Sequence, residues 1–152
     1  RGRRDYEVDG VHYLFHSQDE FARLRETDGL LEYAEVHGNW YGTPRDQVVD
    51  AVTAGSDAIL KIDVQGARRV KALFPDALLI FIMPPSSEAL QDRLRHRGSE
   101  GEDTLALRME NARREMEQAS FYDQVVVNDD LEKALDCLVP AVRACVDGIK
   151  GR

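Results

Sequence analysis

Residues 77–85 read Ala77-Leu-Leu-Ile-Phe-Ile-Met83-Pro-Pro85. The apolar run is far shorter than the roughly 20 residues a membrane span needs. Unbroken apolar character, stopped by two prolines, predicts a strand in a parallel sheet covered on both faces. Just before it, residues 64–73 have helical character, with Pro75 beyond their end. Residues 58–63, Ala-Ile-Leu-Lys-Ile-Asp, read as a second strand that ends on a carboxylate. After it, helices are expected over 87–97 and 103–120, flanking a glycine-bounded loop at 98–101. A short strand over 124–128 and a helix from 130 to about 147 complete the chain. This alternation from Pro44 onward predicts an α/β fold with a parallel sheet and helices on both faces.

Upstream of Pro44 the chain is richer in strands. Residues 11–15 alternate and carry aromatic and branched side chains, so a strand is expected there. Ser17-Gln-Asp-Glu20 is a capping box opening a helix that should run to Asp28. Phe21 and Leu24 would lie on its buried side, and Gly29 would end it. Residues 30–37 are expected to be extended, and 38–42 to form a turn rich in glycine and aromatics. Pro44 suits the first turn of a helix closed by Gly55. One domain is expected, with residues 1–43 as a lobe on a core spanning 44–152.

The 152 residues carry 20 Lys plus Arg and 28 Asp plus Glu, a formal net charge of −8. With 43% hydrophobic residues, a packed core is expected and wholesale disorder is not. A pI near 5.0 argues against general nucleic-acid binding, so anionic ligands must be met by local arginines. Cys137 and Cys145 are eight residues apart in a helical segment. That is about 12 Å along the axis, too far for a disulfide within one helix, so they read as reduced core thiols of a cytosolic protein. No signal peptide is visible, and the basic start Arg1-Gly-Arg-Arg4 by itself resembles a solvated tail.

Three groups of residues invite chemistry. Ligands of open α/β sheets sit beyond the carboxyl ends of strands, where Asp63 and Asn128 fall. Each could equally cap the next helix. Arg93, Arg95 and Arg97, with Arg108, Arg113 and Arg114, lie on the two helices around the glycine loop. They could close over a polyphosphate through bidentate hydrogen bonds, or form a solvated face paired with Glu100, Glu102, Glu110 and Glu115. Glu32, Tyr41 and Thr43 sit near the glycine–aromatic segment, with Tyr13 and the terminal arginines as further members of the group. A carboxylate there can accept the N1–H and N2–H2 donors of guanine and would be mispaired with adenine. It could also be a surface acid on an edge strand.

Taken in order, these groups resemble the guanylate kinase family. The family pattern Thr-Thr-Arg-x-x-Arg-x-Gly-Glu-x-x-Gly-x-x-Tyr-x-Phe is similar to Arg1-Gly-Arg-Arg4-Asp-Tyr-Glu7-Val-Asp-Gly10-Val-His-Tyr13-Leu-Phe15. Glu-x-Ala-x-x-x-Gly-Asn-x-Tyr-Gly-Ser/Thr is similar to the segment from Glu32 to Thr43, and Asp-x-Gln-Gly to Asp63-Val-Gln65-Gly66. The lid pattern matches Arg93-Leu-Arg-His-Arg97-Gly98 with Arg108-Met109, and the closing Val-x-Asn-Asp matches the residues up to Asn128-Asp129. The match runs nearly end to end.

The resemblance implies a nucleoside monophosphate kinase fold with a small GMP-binding lobe and a helical lid at about 87–120. It implies ATP and GMP as substrates, Mg2+ accompanying ATP, no tightly bound cofactor, and neither nucleic-acid nor membrane partners. By the same resemblance Arg1, Arg4, Tyr13 and Tyr41 would hold the GMP phosphate. Glu32 and Asp63 would read guanine with the help of Thr43, Arg97 and Arg108 would act as catalytic lid arginines, and Asn128 would lie near adenine. Tyr6 departs from the family's glycine before Glu7, and Lys61 stands two residues before Asp63 where an acid is common. No G-x-x-x-x-G-K-[ST] phosphate loop occurs. The expectation is therefore a family member cut short at its N-terminus, without its central strand, marginally stable and inactive alone. The competing readings are a non-catalytic guanylate kinase-like module that binds peptides and, more distantly, a sugar-phosphate kinase.

Overall fold

The computed structural model describes residues 2–36, 38–97 and 102–150, with the side chains of 97, 102–104, 149 and 150 left aside. Two compact units divide the chain at Pro75.

In the first unit, helix α1 (Gln18–Glu26) opens on the expected capping box. Ser17 Oγ accepts from Glu20 N at 3.2 Å, while Ser17 N donates to Glu20 Oε2 at 2.7 Å. This satisfies two amides that helix geometry leaves unpaired. Phe21 and Leu24 are among its more protected residues. At the other end Asp28, not Gly29, takes the left-handed conformation, with φ 56°. Gly29 is needed for space, because a Cβ there would lie 3.1 Å from Leu24 Cδ2.

Strand β1 (Leu30–Val36) pairs antiparallel with β2 (Asn39–Pro44), bringing Glu32 opposite Thr43 and Ala34 opposite Tyr41. The turn expected over 38–42 is therefore shorter. Gly38 turns, with φ 72°, and the residues after it join the ladder. Gly42 serves close packing instead, since a Cβ would fall 3.0 Å from the Glu32 carbonyl oxygen. Helix α2 (Arg45–Thr53) follows, with Pro44 as its N-cap, and Gly55 at φ 81° lies just past its end. Helix α3 (Val64–Leu73) starts where expected, capped by Asp63, and packs against β1. Leu30, Leu31, Ala34, Ala67 and Val70 are the buried apolar residues here.

Two expected strands of this unit do not form. Residues 58–63 pair with no strand among the described residues, and Ile59 is 86% exposed. A strand needs a neighbour's amides and carbonyls, which apolar character alone cannot supply. Residues 11–15 keep only an isolated Asp9–Tyr13 bridge. There Asp9 Oδ1 takes the Phe15 amide at 2.9 Å and His12 Nδ1 takes the Val8 amide at 3.0 Å. The Val11 and His12 amides turn back to the Val8 carbonyl, so local bonds use donors that a ladder would need.

In the second unit β3 (Ile80–Met83) pairs parallel with β4 (Gln124–Val127), the parallel arrangement the sequence predicts. Asp123 locks the start of this pair, with its Oδ2 accepting from Leu79 N at 2.8 Å. Leu79, Ala119, Val126 and Ala134 are buried. Ile82 is 49% exposed, so the 77–83 run is not enclosed along its whole length. Helices α4 (Ser87–Arg97) and α5 (Glu102–Met116) pack together, and the loop expected at 98–101 lies outside the described residues. A 3-10 turn (Ala119–Phe121) takes up the end of the longer helix expected there. Helix α6 (Leu131–Lys150) packs on β4 and starts at Asp130, whose Oδ1 accepts from Lys133 N at 3.1 Å. Both cysteines lie on α6 as free thiols. Cys145 is half-buried, but Cys137 is exposed, which corrects its expected place in the core. Helical phase explains this, because the protected stripe of α6 runs through Ala134, Leu138, Ala141 and Cys145, and Cys137 falls beside it.

Candidate functional site

Alternation along β1 puts Glu32 and Ala34 on one face and Tyr33 on the other. The β1–β2 register sets Thr43 beside Glu32, and Thr43 Oγ1 donates to Glu32 Oε1 at 2.6 Å. Glu32 is only 4% exposed. Its carboxylate lies against the first turn of α3 at Gly66. A Cβ at Gly66 would overlap Glu32 Oε2, come within 3.0 Å of its Cδ and approach Ile62 Cβ to 3.2 Å. Glycine is therefore the residue that lets α3 approach this acid.

Burial pushes the Glu32 carboxyl above the ordinary carboxylate range. The Thr43 hydrogen bond opposes that, the nearby Asp63 charge adds to it, and Arg69 opposes it. Asp63 is the N-cap of α3. Its Oδ1 accepts from Gly66 N at 2.8 Å, and its Oδ2 accepts from Gln65 Nε2 at 3.2 Å. The capping alternative is thus realised, and a carboxylate with about four lone-pair sites keeps acceptor capacity besides. Arg69, one turn further along α3, donates to the Tyr33 carbonyl at 2.8 Å, and its guanidinium lies 4.0 Å from the Tyr33 ring centroid.

Tyr13 and Tyr41 meet edge to face with ring centroids 6.3 Å apart, so the isolated bridge and β2 bring these two phenols together. Arg4 lies in a tight turn. Its amide donates to Glu7 Oε2 at 2.8 Å, and Glu7 N donates to the Arg4 carbonyl at 3.0 Å. Glu7 is 5% exposed. Arg1 lies outside the described residues.

In the second unit the six arginines part company. Arg113 pairs with Glu110 and Glu117, Arg114 pairs with Glu110, and Arg95 lies 3.8 Å from Asp92. These three are the solvated charged face that helical i,i+3 and i,i+4 spacing favours. Arg93 reaches across to the β4–α6 turn, donating to the carbonyls of Asn128 at 2.8 Å and Asp129 at 3.4 Å. Arg108 is half-buried on α5, and the Arg97 side chain lies outside the described residues. The Asn128 amide donates to the Met83 carbonyl at 2.8 Å. A cavity of about 400 Å³ opens between α4 and α5 beside Gln91, Arg95, Leu105 and Met109, and Arg95 is the candidate arginine that lines it among the described residues.

Sequence reasoning missed Gly66 and Arg69 as partners of Glu32. The only available signal was their spacing of three on one helix face. It named Arg93 for a polyphosphate or for a solvated face and missed the bond it makes, because its partner is a backbone carbonyl 35 residues away.

A family model described as "Guanylate kinase" matches residues 1–145. The chain is 47% identical to the guanylate kinase of Synechococcus sp. (strain CC9311), over 89% of this chain and 71% of that protein. It is 48% identical to that of Desulfitobacterium hafniense (strain Y51), over 91% of this chain and 69% of that protein. The solved guanylate kinase of Anaplasma phagocytophilum superposes with a TM-score of 0.80 at 36% identity, covering 95% of this chain and 70% of that one. The chain belongs to the guanylate kinase family, kinases that act on GMP.

Proposed function

We propose that the first unit is the acceptor side of a cytoplasmic ATP:GMP phosphotransferase, with residues 1–43 as its GMP-binding lobe. Glu32 carries the reading. It is buried, held in one orientation by Thr43, and flanked by Asp63. Two adjacent carboxylates suit the N1–H and N2–H2 donors of guanine, and a guanine seated there would relieve their repulsion. Adenine offers no such pair of donors, and leaving buried acceptors unpaired is the strongest form of discrimination. Tyr13, Tyr41, Arg4 and Arg1 would then take the phosphate, the arginines through charge-assisted forks.

In the reaction a GMP phosphate oxygen attacks the γ-phosphorus of ATP in line, the bond to the β-phosphate oxygen breaks, and ADP leaves. Arg97 and Arg108, on a lid spanning about 87–120, would neutralise charge developing on the transferred group. Asn128 would lie toward adenine. Among the described residues no cluster of three or more His, Cys, Asp or Glu is placed to hold a metal. Mg2+ would accompany ATP and neutralise charge on its phosphates. No helix among the described residues is long and apolar enough to cross a membrane.

Titration calorimetry of the chain with GMP, and with AMP as control, tests the acceptor assignment. Heat with GMP and none with AMP at the same concentrations is the expected result. Equal binding of the two nucleotides would remove Glu32 as a reader of guanine.

A further inference from the structure

Tyr6 occupies a position where the family pattern has glycine, and no role assigned so far uses it. Its phenol is exposed, yet it accepts a hydrogen bond from Arg4 Nη1 at 2.8 Å. We propose that Tyr6 is a positioning residue for the Arg4 guanidinium, holding it ready for a phosphate monoester. This inference rests on Arg4 being a phosphate ligand of the acceptor site.

The case is built from both ends of the arginine. Its backbone is fixed by the reciprocal bonds with buried Glu7. A long side chain on a fixed backbone still carries large rotamer freedom, and losing it opposes ligand binding. A hydrogen bond to the guanidinium before the ligand arrives removes part of that loss in advance, which is how preorganisation raises affinity. The chemistry of the anchor matters. A carboxylate at this place would neutralise the guanidinium and compete with phosphate. A phenol oxygen accepts one N–H of the fork, where a carboxylate would accept two. With glycine at residue 6 there would be no such anchor, so this is a property of the present chain.

Tyr6→Phe removes one oxygen from an exposed side chain and leaves the ring. GMP and guanosine are titrated against the wild-type and variant chains under identical buffer and salt. The expected result is a roughly 3- to 10-fold weaker GMP affinity in the variant, the worth of one net hydrogen bond, with guanosine affinity unchanged. Phosphate-dependent loss is something a merely structural role would not produce. Unchanged GMP affinity in a chain that still selects GMP over AMP would overturn this inference alone. Equal losses for GMP and guanosine would overturn it as well, by assigning Tyr6 to the fold. A wild-type chain that fails to select GMP would overturn the acceptor-site reading first and this inference with it.

Discussion

At Glu32 two demands oppose each other. The proposed reading of guanine calls for an ionised acceptor, while burial favours the protonated acid and raises its pKa. A carboxyl whose folded pKa exceeds its unfolded value binds more protons when folded. Its contribution to stability is therefore greatest below the unfolded value near 4.5 and declines as pH rises through the folded value. At neutral pH the buried charge is a cost. Glu32→Gln removes it while keeping an oxygen for Thr43, so the variant should unfold at higher denaturant concentration than wild type at pH 7. That advantage should shrink as pH falls toward 4.5. The same change presents an amide donor to guanine's donors, so GMP affinity should drop about 10- to 100-fold, the range for a hydrogen bond to a charged group. Urea melts at two pH values and a GMP titration check both halves. A variant that is less stable yet binds GMP normally would contradict each. The sequence left Glu32 open between guanine reader and surface acid, and only its motif context favoured the first. The need for glycine at residue 66 was not legible, because it arises from a carboxylate that meets α3 from another element.

Elements were legible where their determinants are local. The Ser17 capping box, the Asp63 cap and the Gly55 stop are written within a few residues, and all three appear where expected. Residues 58–63 failed because a strand is a property of two segments, and one can be read without the other being present. Arg93 shows the same limit in a side chain, since its partners are carbonyls of the β4–α6 turn. This long-range bond gives α4 a mechanical tie to Asn128. Arg93→Ala should release that tie, and amide exchange at Asn128 should quicken about 2- to 10-fold, matching one net hydrogen bond. Amides of β1 and β2 should exchange at their wild-type rates. Unchanged exchange at Asn128 would mean that its amide bond to the Met83 carbonyl holds the turn without help from Arg93.

For the molecule as a whole, composition foretold a folded acidic protein, and the alternation of strands with helices foretold its α/β class. The net charge of −8 is a sum, and on α5 much of the basic charge is cancelled locally by Glu110 and Glu117. Buried apolar side chains are few and of modest size among the described residues, with Leu30, Leu31, Leu79, Val70 and Val126 the larger ones. Anything that binds only the folded state stabilises it in proportion to the logarithm of its concentration relative to Kd. GMP at about 100 times its Kd should add roughly 2.7 kcal/mol. For a chain of this size that is a rise in Tm of roughly 5–10 °C. AMP at the same concentration should leave Tm in place. The lone tryptophan offers a suitable probe. Trp40 stacks with Arg25 4.4 Å from its ring centroid and lies on β2 next to Tyr41, so its emission reports the unit that carries Glu32 and Thr43. A melt followed at Trp40 that shifts with GMP and not AMP locates the stabilisation in that unit. A melt that ignores GMP while calorimetry registers heat would place the nucleotide elsewhere on the chain.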